Sequence, residues 1–112
     1  MSTGKAITKF VRISPRKARL AAGIIRGLGV EEARVQLGYS NLRGGRLLRK
    51  TLDSAVANAE TNDGARRENL IVTEVRIDGG PTMKRARSRQ RGGKSMILKR
   101  TSHFTIVVGT VG

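Results

Sequence analysis

The chain has 112 residues, and its 23 Lys and Arg residues exceed its 8 Asp and Glu residues to give a formal net charge of +15. It contains no Cys, which excludes disulfide frameworks, zinc ribbons and thiol catalysis and favours a cytosolic protein. The length suits one folded unit, so we expect residues 1–112 to form a single domain. The N-terminus has no apolar signal region, and no apolar run reaches the length of a membrane span.

The first predicted elements are a short strand and a helix. Residues Ala6 to Ile13 are rich in β-branched residues, which favours a strand. Ser14 and Pro15 then form a strong helix start, because Ser is a favoured N-cap and Pro is favoured at the first helical position. Gly27 predicts the end of this helix. Helical spacing predicts a buried stripe of Ala18, Ala21, Ala22 and Ile25, with Arg16, Arg19 and Arg26 on another face.

Two further helices are predicted in the middle of the chain. One begins after Gly29, carries acidic residues in its first turn and ends near Gly38. Its inward-facing residues are predicted to be Val30, Ala33 and Leu37. The other runs from about Leu42 to Asn62, and its predicted buried side consists of Leu48, Leu52, Ala55, Val56 and Ala59. Its outer face has a basic stripe of Arg43, Arg46, Arg49 and Lys50.

The last part of the chain predicts two strands joined by a hairpin. Leu70 to Asp78 alternates apolar and charged residues, and we expect its apolar residues Ile71, Val75 and Ile77 to face inward. The matching strand near the C-terminus contains Phe104, Ile106 and Val108. The segment between them, about 80–102, should form a long basic β-hairpin that turns at 91–94. The predicted fold class is therefore α+β, a small antiparallel sheet packed on three helices with a protruding hairpin.

Charge is distributed unevenly along the sequence. Residues 1–30 hold seven bases and no acid, residues 31–78 hold eight of each, and residues 79–112 hold eight bases and no acid. In the last segment Arg85, Arg87, Arg89 and Arg91 recur at every second position, so an extended strand would present them on one face. Such a row suits phosphates and indicates a nucleic acid. With only three aromatic residues, contacts to phosphates, sugars and the shape of structured RNA are expected.

Other function classes have less support in the sequence. Gly93-Lys94-Ser95 resembles the end of a P-loop, but Ser88 stands where the first glycine is required. His103 is the only histidine, and a hydrogen-bonded structural or RNA-contacting role suits it better than general-base catalysis. We expect no enzyme activity, no metal, no cofactor and no small-molecule substrate. A free architectural nucleic-acid-binding protein that uses a basic β-arm remains the alternative.

Four motifs occur in order over nearly the whole chain. They are Ile13–Leu20 (ISPRKARL), Ser54–Glu60 (SAVANAE) with Asn62, Gly80–Arg85 (GPTMKR), and Lys99–His103 (KRTSH) with Thr105 and Ile106. Together they resemble the large-subunit ribosomal protein L22 family in its bacterial form. The resemblance implies a cytoplasmic protein of the large ribosomal subunit that supports assembly and contacts ribosomal RNA (rRNA) and neighbouring ribosomal proteins. It also implies a hairpin that lines the peptide exit tunnel and meets the nascent peptide.

The predicted contact residues come from both basic ends and from the last motif. We expect Arg16, Lys17 and Arg19 to be held rigidly at a capped helix start and to fix the body on RNA. The full predicted rRNA-binding set is Arg12, Arg16, Lys17, Arg19, Lys84, Arg85, Arg87, Arg89, Arg91, Lys94, Lys99, Arg100, Ser102 and His103. The predicted tunnel-lining hairpin tip is Arg89, Gln90, Arg91, Gly92, Gly93 and Lys94.

Overall fold

The structure is a computed structural model that describes residues 3–39, 43–81, 83–88 and 94–110, with the backbone alone described for 43, 63, 83–88 and 94–99. A 3-10 turn, Arg67–Asn69, precedes the second strand. The helices are α1 (Pro15–Ile25), α2 (Val30–Tyr39) and α3 (Arg43–Asp63), and the strands are β1 (Thr3–Val11), β2 (Leu70–Gly79), β3 (Met83–Ser88), β4 (Lys94–Lys99) and β5 (Ser102–Thr110). The predicted α+β class is confirmed.

The main sheet has three antiparallel strands in the order β1-β5-β2. The last strand in the chain is therefore the central one, and Ile106 pairs with Ala6 on one side and with Val75 on the other. The predicted apolar residues of β5, Phe104, Ile106 and Val108, are all fully buried. Central position and burial agree because a strand paired on both edges lies under the middle of the helical layer.

The three helices pack on one face of this sheet, and their predicted buried stripes are confirmed. Helix α1 begins as expected, since the Ser14 hydroxyl accepts a hydrogen bond from the Lys17 N–H at 3.4 Å and Pro15 occupies the first helical position. Gly27, two residues after the helix ends, has φ of +83°, a conformation that glycine adopts without strain. Helix α2 buries Val30, Ala33 and Leu37.

Helix α3 lies closest to β1. Its predicted first residue, Leu42, lies outside the described residues; the helix ends one residue later than predicted, and its predicted inner residues are fully buried. Gly4 of β1 lies directly against Ala55 and Ala59, so a side chain at position 4 would collide with the helix. The Asn58 side-chain amide also donates to the Lys5 carbonyl at 2.8 Å. The hydroxyls of Thr8 and Thr51 form a second bond between strand and helix at 2.8 Å. Small residues and these polar contacts thus set how closely the helix approaches the sheet.

The predicted inward face of β2 is wrong at its start. Leu70 and Val72 are buried and Ile71 is only half-buried, whereas Val75 and Ile77 face inward as expected. The reason is a register shift between Val72 and Glu74 against β5, which leaves Thr73 as an extra residue. An extra residue reverses the alternation of faces, so a single period of two could not describe the whole strand.

Strand β1 starts earlier and ends earlier than the predicted Ala6 to Ile13. It also contains a register shift between Thr8 and Val11, where Phe10 has φ of +58°. After the strand ends, Ile13 is buried in the loop that leads to α1. The chain therefore leaves the sheet two residues before the predicted end.

The predicted hairpin is formed by β3 and β4, which pair with each other in a separate two-stranded antiparallel sheet. The register runs from Met83 opposite Lys99 to Ser88 opposite Lys94. Most of the predicted turn at 91–94 lies outside the described residues. The molecule extends over 64 × 25 × 16 Å with a radius of gyration of 17.0 Å, against about 13 Å for a compact chain of this length. In the described part of the chain, no helix is long and apolar enough to span a bilayer.

Candidate nucleic-acid interface

The first part of the candidate interface is the start of α1. Arg16 and Lys17 are exposed in its first turn, and Arg12 is exposed in the preceding loop. Among the described residues, none of these three bases forms an ion pair. The Ser14 cap and the buried alanines behind it hold the turn in place, so the charges lie on a rigid support.

Two arginines of the same face reach across to the edge of β2. Nη2 of Arg19 donates to the Ile77 carbonyl at 3.1 Å, and Nη2 of Arg26 donates to the Val75 carbonyl at 2.7 Å. These bonds satisfy carbonyls on the outer edge of the sheet and hold each guanidinium in one position. A guanidinium has five N–H donors, so both groups keep donors for a phosphate. Arg26 shares the predicted face of Arg16 and Arg19 but lay outside the predicted contact set, and its bond to Val75 places it beside Arg19 on the β2 edge.

The root of the hairpin is the second part. Thr101 is buried, its hydroxyl donates to the Pro81 carbonyl at 2.8 Å, and its own carbonyl accepts from the Gly80 N–H at 3.0 Å. Gly80 is needed there, because a Cβ would come within 2.5 Å of the Thr101 hydroxyl and 3.2 Å of the His103 ring. Arg100 directly follows β4, next to these hydrogen bonds, and is exposed.

The structure gives Ser102 a role different from the predicted RNA contact. Its side chain is fully buried, and its hydroxyl donates to the Ile13 carbonyl at 2.6 Å. The bond connects the start of β5 to the loop before α1. A hydroxyl enclosed in this way is not on the surface that carries the exposed bases, and the motif resemblance did not distinguish the two roles.

His103 is half-buried and holds the end of β1. Its Nδ1 accepts a hydrogen bond from the Phe10 N–H at 3.1 Å, and the two rings meet edge to face with centroids 5.0 Å apart. Because Nδ1 is the acceptor, the neutral ring carries its proton on Nε2. The expected hydrogen-bonded role of His103 is therefore present, and Nε2 is left as a donor.

The remaining predicted bases belong to the hairpin. Lys84, Arg85 and Arg87 lie in β3, and Lys94 and Lys99 lie at the two ends of β4. The other predicted tip residues, Arg89, Gln90, Arg91, Gly92 and Gly93, lie outside the described residues. Their grouping at the tip stays a prediction.

Several acidic residues are already paired with bases. Arg34 contacts Asp53 at 2.7 Å, and Arg67 contacts Glu60 at 3.0 Å. On the outer face of the sheet, Arg76 lies 3.7 Å from Glu74 and 3.3 Å from Asp78. In the predicted basic stripe of α3, Arg46, Arg49 and Lys50 are exposed, and the side chain of Arg43 lies outside the described part of the chain. Residues 31–78 thus pair several of their acids with their own bases. Among the described residues, Arg12, Arg16 and Lys17 have no such partner.

The chain is similar to known proteins over nearly its whole length. Residues 6–109 match the family model of ribosomal protein L22p/L17e. The large ribosomal subunit protein uL22 of Protochlamydia amoebophila is 66% identical over 111 residues, covering 99% of this chain and 100% of the relative. The uL22 proteins of Chlamydia pneumoniae and Chlamydia trachomatis serovar L2 are 60% and 56% identical, over 94% and 96% of this chain and 95% and 97% of their own lengths. The chain belongs to the ribosomal protein L22p/L17e family.

Proposed function

We propose that the chain is a structural constituent of the large ribosomal subunit in the bacterial cytoplasm, where it binds rRNA and supports assembly. Residues 1–112 act as one L22 domain, with neighbouring ribosomal proteins as further partners. The role is structural and not enzymatic. Family membership and the names of the relatives support the subunit, and the charge distribution supports the RNA.

The observation that carries this proposal is the group of exposed bases at the start of α1. Arg12, Arg16 and Lys17 are accessible, form no ion pair with described carboxylates and lie on or beside a capped helix. A surface that served only solubility would mix both signs, as the middle of the chain does. Exposed bases on a rigid support instead suit the phosphates of a folded RNA.

The proposed contact residues follow the predicted set with one addition and one omission. Arg12, Arg16, Lys17, Arg19 and Arg100 contact phosphates, and Arg26 joins them because it lies beside Arg19 on the β2 edge. Ser102 is left out because its hydroxyl is buried. His103 stays in the set, and its Nδ1 also holds the backbone of Phe10. The hairpin bases Lys84, Arg85, Arg87, Arg89, Arg91, Lys94 and Lys99 contact rRNA along the hairpin.

The hairpin is also proposed to line the peptide exit tunnel and to face the nascent peptide with its tip, 89–94. Its two strands pair only with each other among the described residues, and the molecule is long and narrow. A narrow two-stranded ribbon can enter a channel that the body cannot. Cross-linking of a photoreactive residue at position 90 to a stalled nascent chain would test this assignment, with the same label at Glu68 as the control. Equal labelling from both positions would contradict it.

The first prediction concerns the salt dependence of RNA binding. The logarithm of the binding constant for a large-subunit rRNA transcript should fall linearly with the logarithm of salt, since each phosphate contact releases counterion. Replacing Arg16 and Lys17 by Gln should lower the slope by about 1 for each base that no longer neutralises a phosphate. Filter binding at several salt concentrations measures the slope.

The matched control for this experiment is Arg76→Gln. Arg76 is also exposed, but two carboxylates already surround its guanidinium, so its removal should leave the slope unchanged. A slope near zero for the wild-type protein would refute phosphate-dominated binding. Sedimentation of a lysate at high magnesium separates the proposal from the alternative, since a free architectural protein would be found outside the large subunits.

A further inference from the structure

Phe10 combines two unfavourable features at one position. Its φ of +58° lies in the left-handed region, which bulky residues other than glycine rarely adopt. The residue is also 60% exposed, so the ring gives up much of the burial that a phenylalanine can gain. Neither feature is needed to close the core, which is filled by other residues.

The surrounding structure holds Phe10 in this conformation. The register shift between Thr8 and Val11 lifts the residue out of the β1–β5 ladder. Its N–H donates a hydrogen bond to Nδ1 of His103 at 3.1 Å, and the planes of the two rings meet at an angle of 88°. A backbone bond and a ring contact together fix where the phenyl group points, while more than half of the residue's surface stays open to solvent.

The charges next to Phe10 suit a nucleic acid. Lys9 and Arg12 are exposed on either side of it in the sequence, and neither forms an ion pair with a described carboxylate. Asp78 of β2 lies opposite His103 of β5 in the sheet. Its carboxylate already has a basic partner, Arg76, at 3.3 Å. An exposed aromatic ring flanked in the sequence by two basic residues has the composition of a site that stacks a nucleobase and binds the adjacent phosphates.

We propose that Phe10 is a stacking platform for one unpaired base of the bound RNA, and that His103 is the positioning residue that holds it. The inference rests on the proposed rRNA binding. The Nδ1 bond to Phe10 leaves Nε2–H of His103 as a donor, on the side of the ring that lies against Gly80. The site adds one base contact to an interface otherwise made to phosphates.

The first test replaces Phe10 by Asn, which tolerates the left-handed conformation but cannot stack. The affinity for a large-subunit rRNA transcript should fall about tenfold or more, while the salt slope stays that of the wild type. Phe10→Tyr should retain affinity. Tyr39→Asn is the control, since Tyr39 is 86% exposed on α2 and lies outside the proposed site. Thermal unfolding of each variant checks that the fold is intact.

The outcomes separate the two proposals. If the wild type binds with a steep salt slope and Phe10→Asn binds equally well, stacking is refuted and rRNA binding stands. If the wild type does not bind the transcript, both are refuted. If Phe10→Asn lowers the salt slope along with the affinity, the position supports phosphate contacts and the stacking proposal is overturned.

A second test reads the stacking directly. The chain has no Trp, so Phe10→Trp introduces a single indole, and its fluorescence should be quenched when the transcript binds. Tyr39→Trp should show little quenching. In the Phe10→Trp background, His103→Ala should reduce the quenching, and His103→Asn, whose amide oxygen can replace Nδ1 as the acceptor, should restore it. Equal quenching at positions 10 and 39, or no effect of His103→Ala, would overturn the proposal.

Discussion

At the scale of single residues, the loops that join the hairpin to the body depend on small, well-placed groups. Gly80 lies against Thr101 and His103, whereas Gly23 in the last turn of α1 has no neighbour where its Cβ would be. The two glycines therefore offer a matched pair. The same substitution should have opposite effects at the two positions, because one site is closed and the other is open.

Gly80→Ala is predicted to lower the free energy of unfolding by about 1–3 kcal/mol through overpacking at the hairpin root. Gly23→Ala should raise it by up to about 0.5–1 kcal/mol, because alanine has the higher helix propensity and the site is open. Urea unfolding of the free protein measures both values. If both substitutions change the free energy of unfolding by a similar amount and in the same direction, the contacts at Gly80 do not exclude a side chain.

At the scale of elements, the buried stripe of α3 joins the helical layer to the sheet. Leu52 is fully buried, and Leu52→Ala should cost about 2–5 kcal/mol in the free energy of unfolding because it leaves a cavity. Leu20 on α1 is 62% exposed, so Leu20→Ala should cost well under that, within about 0.5 kcal/mol of the wild type. If the two variants unfold at the same urea concentration, the α3 stripe is not the main core contact.

The hairpin is the element whose stability is predicted to be separate from the rest. Since β3 and β4 form their own sheet, replacing residues 83–98 by a short glycine-containing turn should leave the melting temperature nearly unchanged. The replacement keeps Gly80, Pro81 and Thr101, which make the root contacts. Thermal unfolding followed by circular dichroism measures the effect, and unfolding of the shortened protein at ordinary temperature would contradict the separation.

At the scale of the whole molecule, the two basic ends are predicted to divide their roles. The start of α1 is rigid, so Arg16→Glu with Lys17→Glu should abolish incorporation into the large subunit. These two positions isolate the charge, whereas Arg19 also supports the β2 edge through Ile77. Removal of the tip from Gln90 to Lys94 should permit incorporation but change passage of the nascent chain or access of drugs in the tunnel.

A competition between tagged variants and the wild type, scored in purified large subunits, measures this division. Arg76→Glu is the control for a change of charge outside the α1 surface. Equal loss of the α1 and tip variants would refute the division of roles. Equal retention of both would remove the start of α1 from the binding site.

The sequence by itself determined the elements, the fold class and the family. The Ser14-Pro15 helix start, the stripes of α1 and α3 and the apolar residues of β5 are local patterns, and local patterns follow from backbone periodicity and capping. The charge division also needs no structure, because it is a count along the chain. The four motifs then carried the resemblance to the L22 family, which the comparisons confirmed.

Only the tertiary structure decided which residues of those motifs face outward. Ser102 and His103 are adjacent in one motif, yet one is buried against the Ile13 carbonyl and the other holds Phe10 at the surface. The shifted face at the start of β2 and the left-handed conformation of Phe10 both arise where the register of a strand shifts against β5. Such an irregularity depends on how two distant segments pair, and a pattern read along one segment does not contain that information.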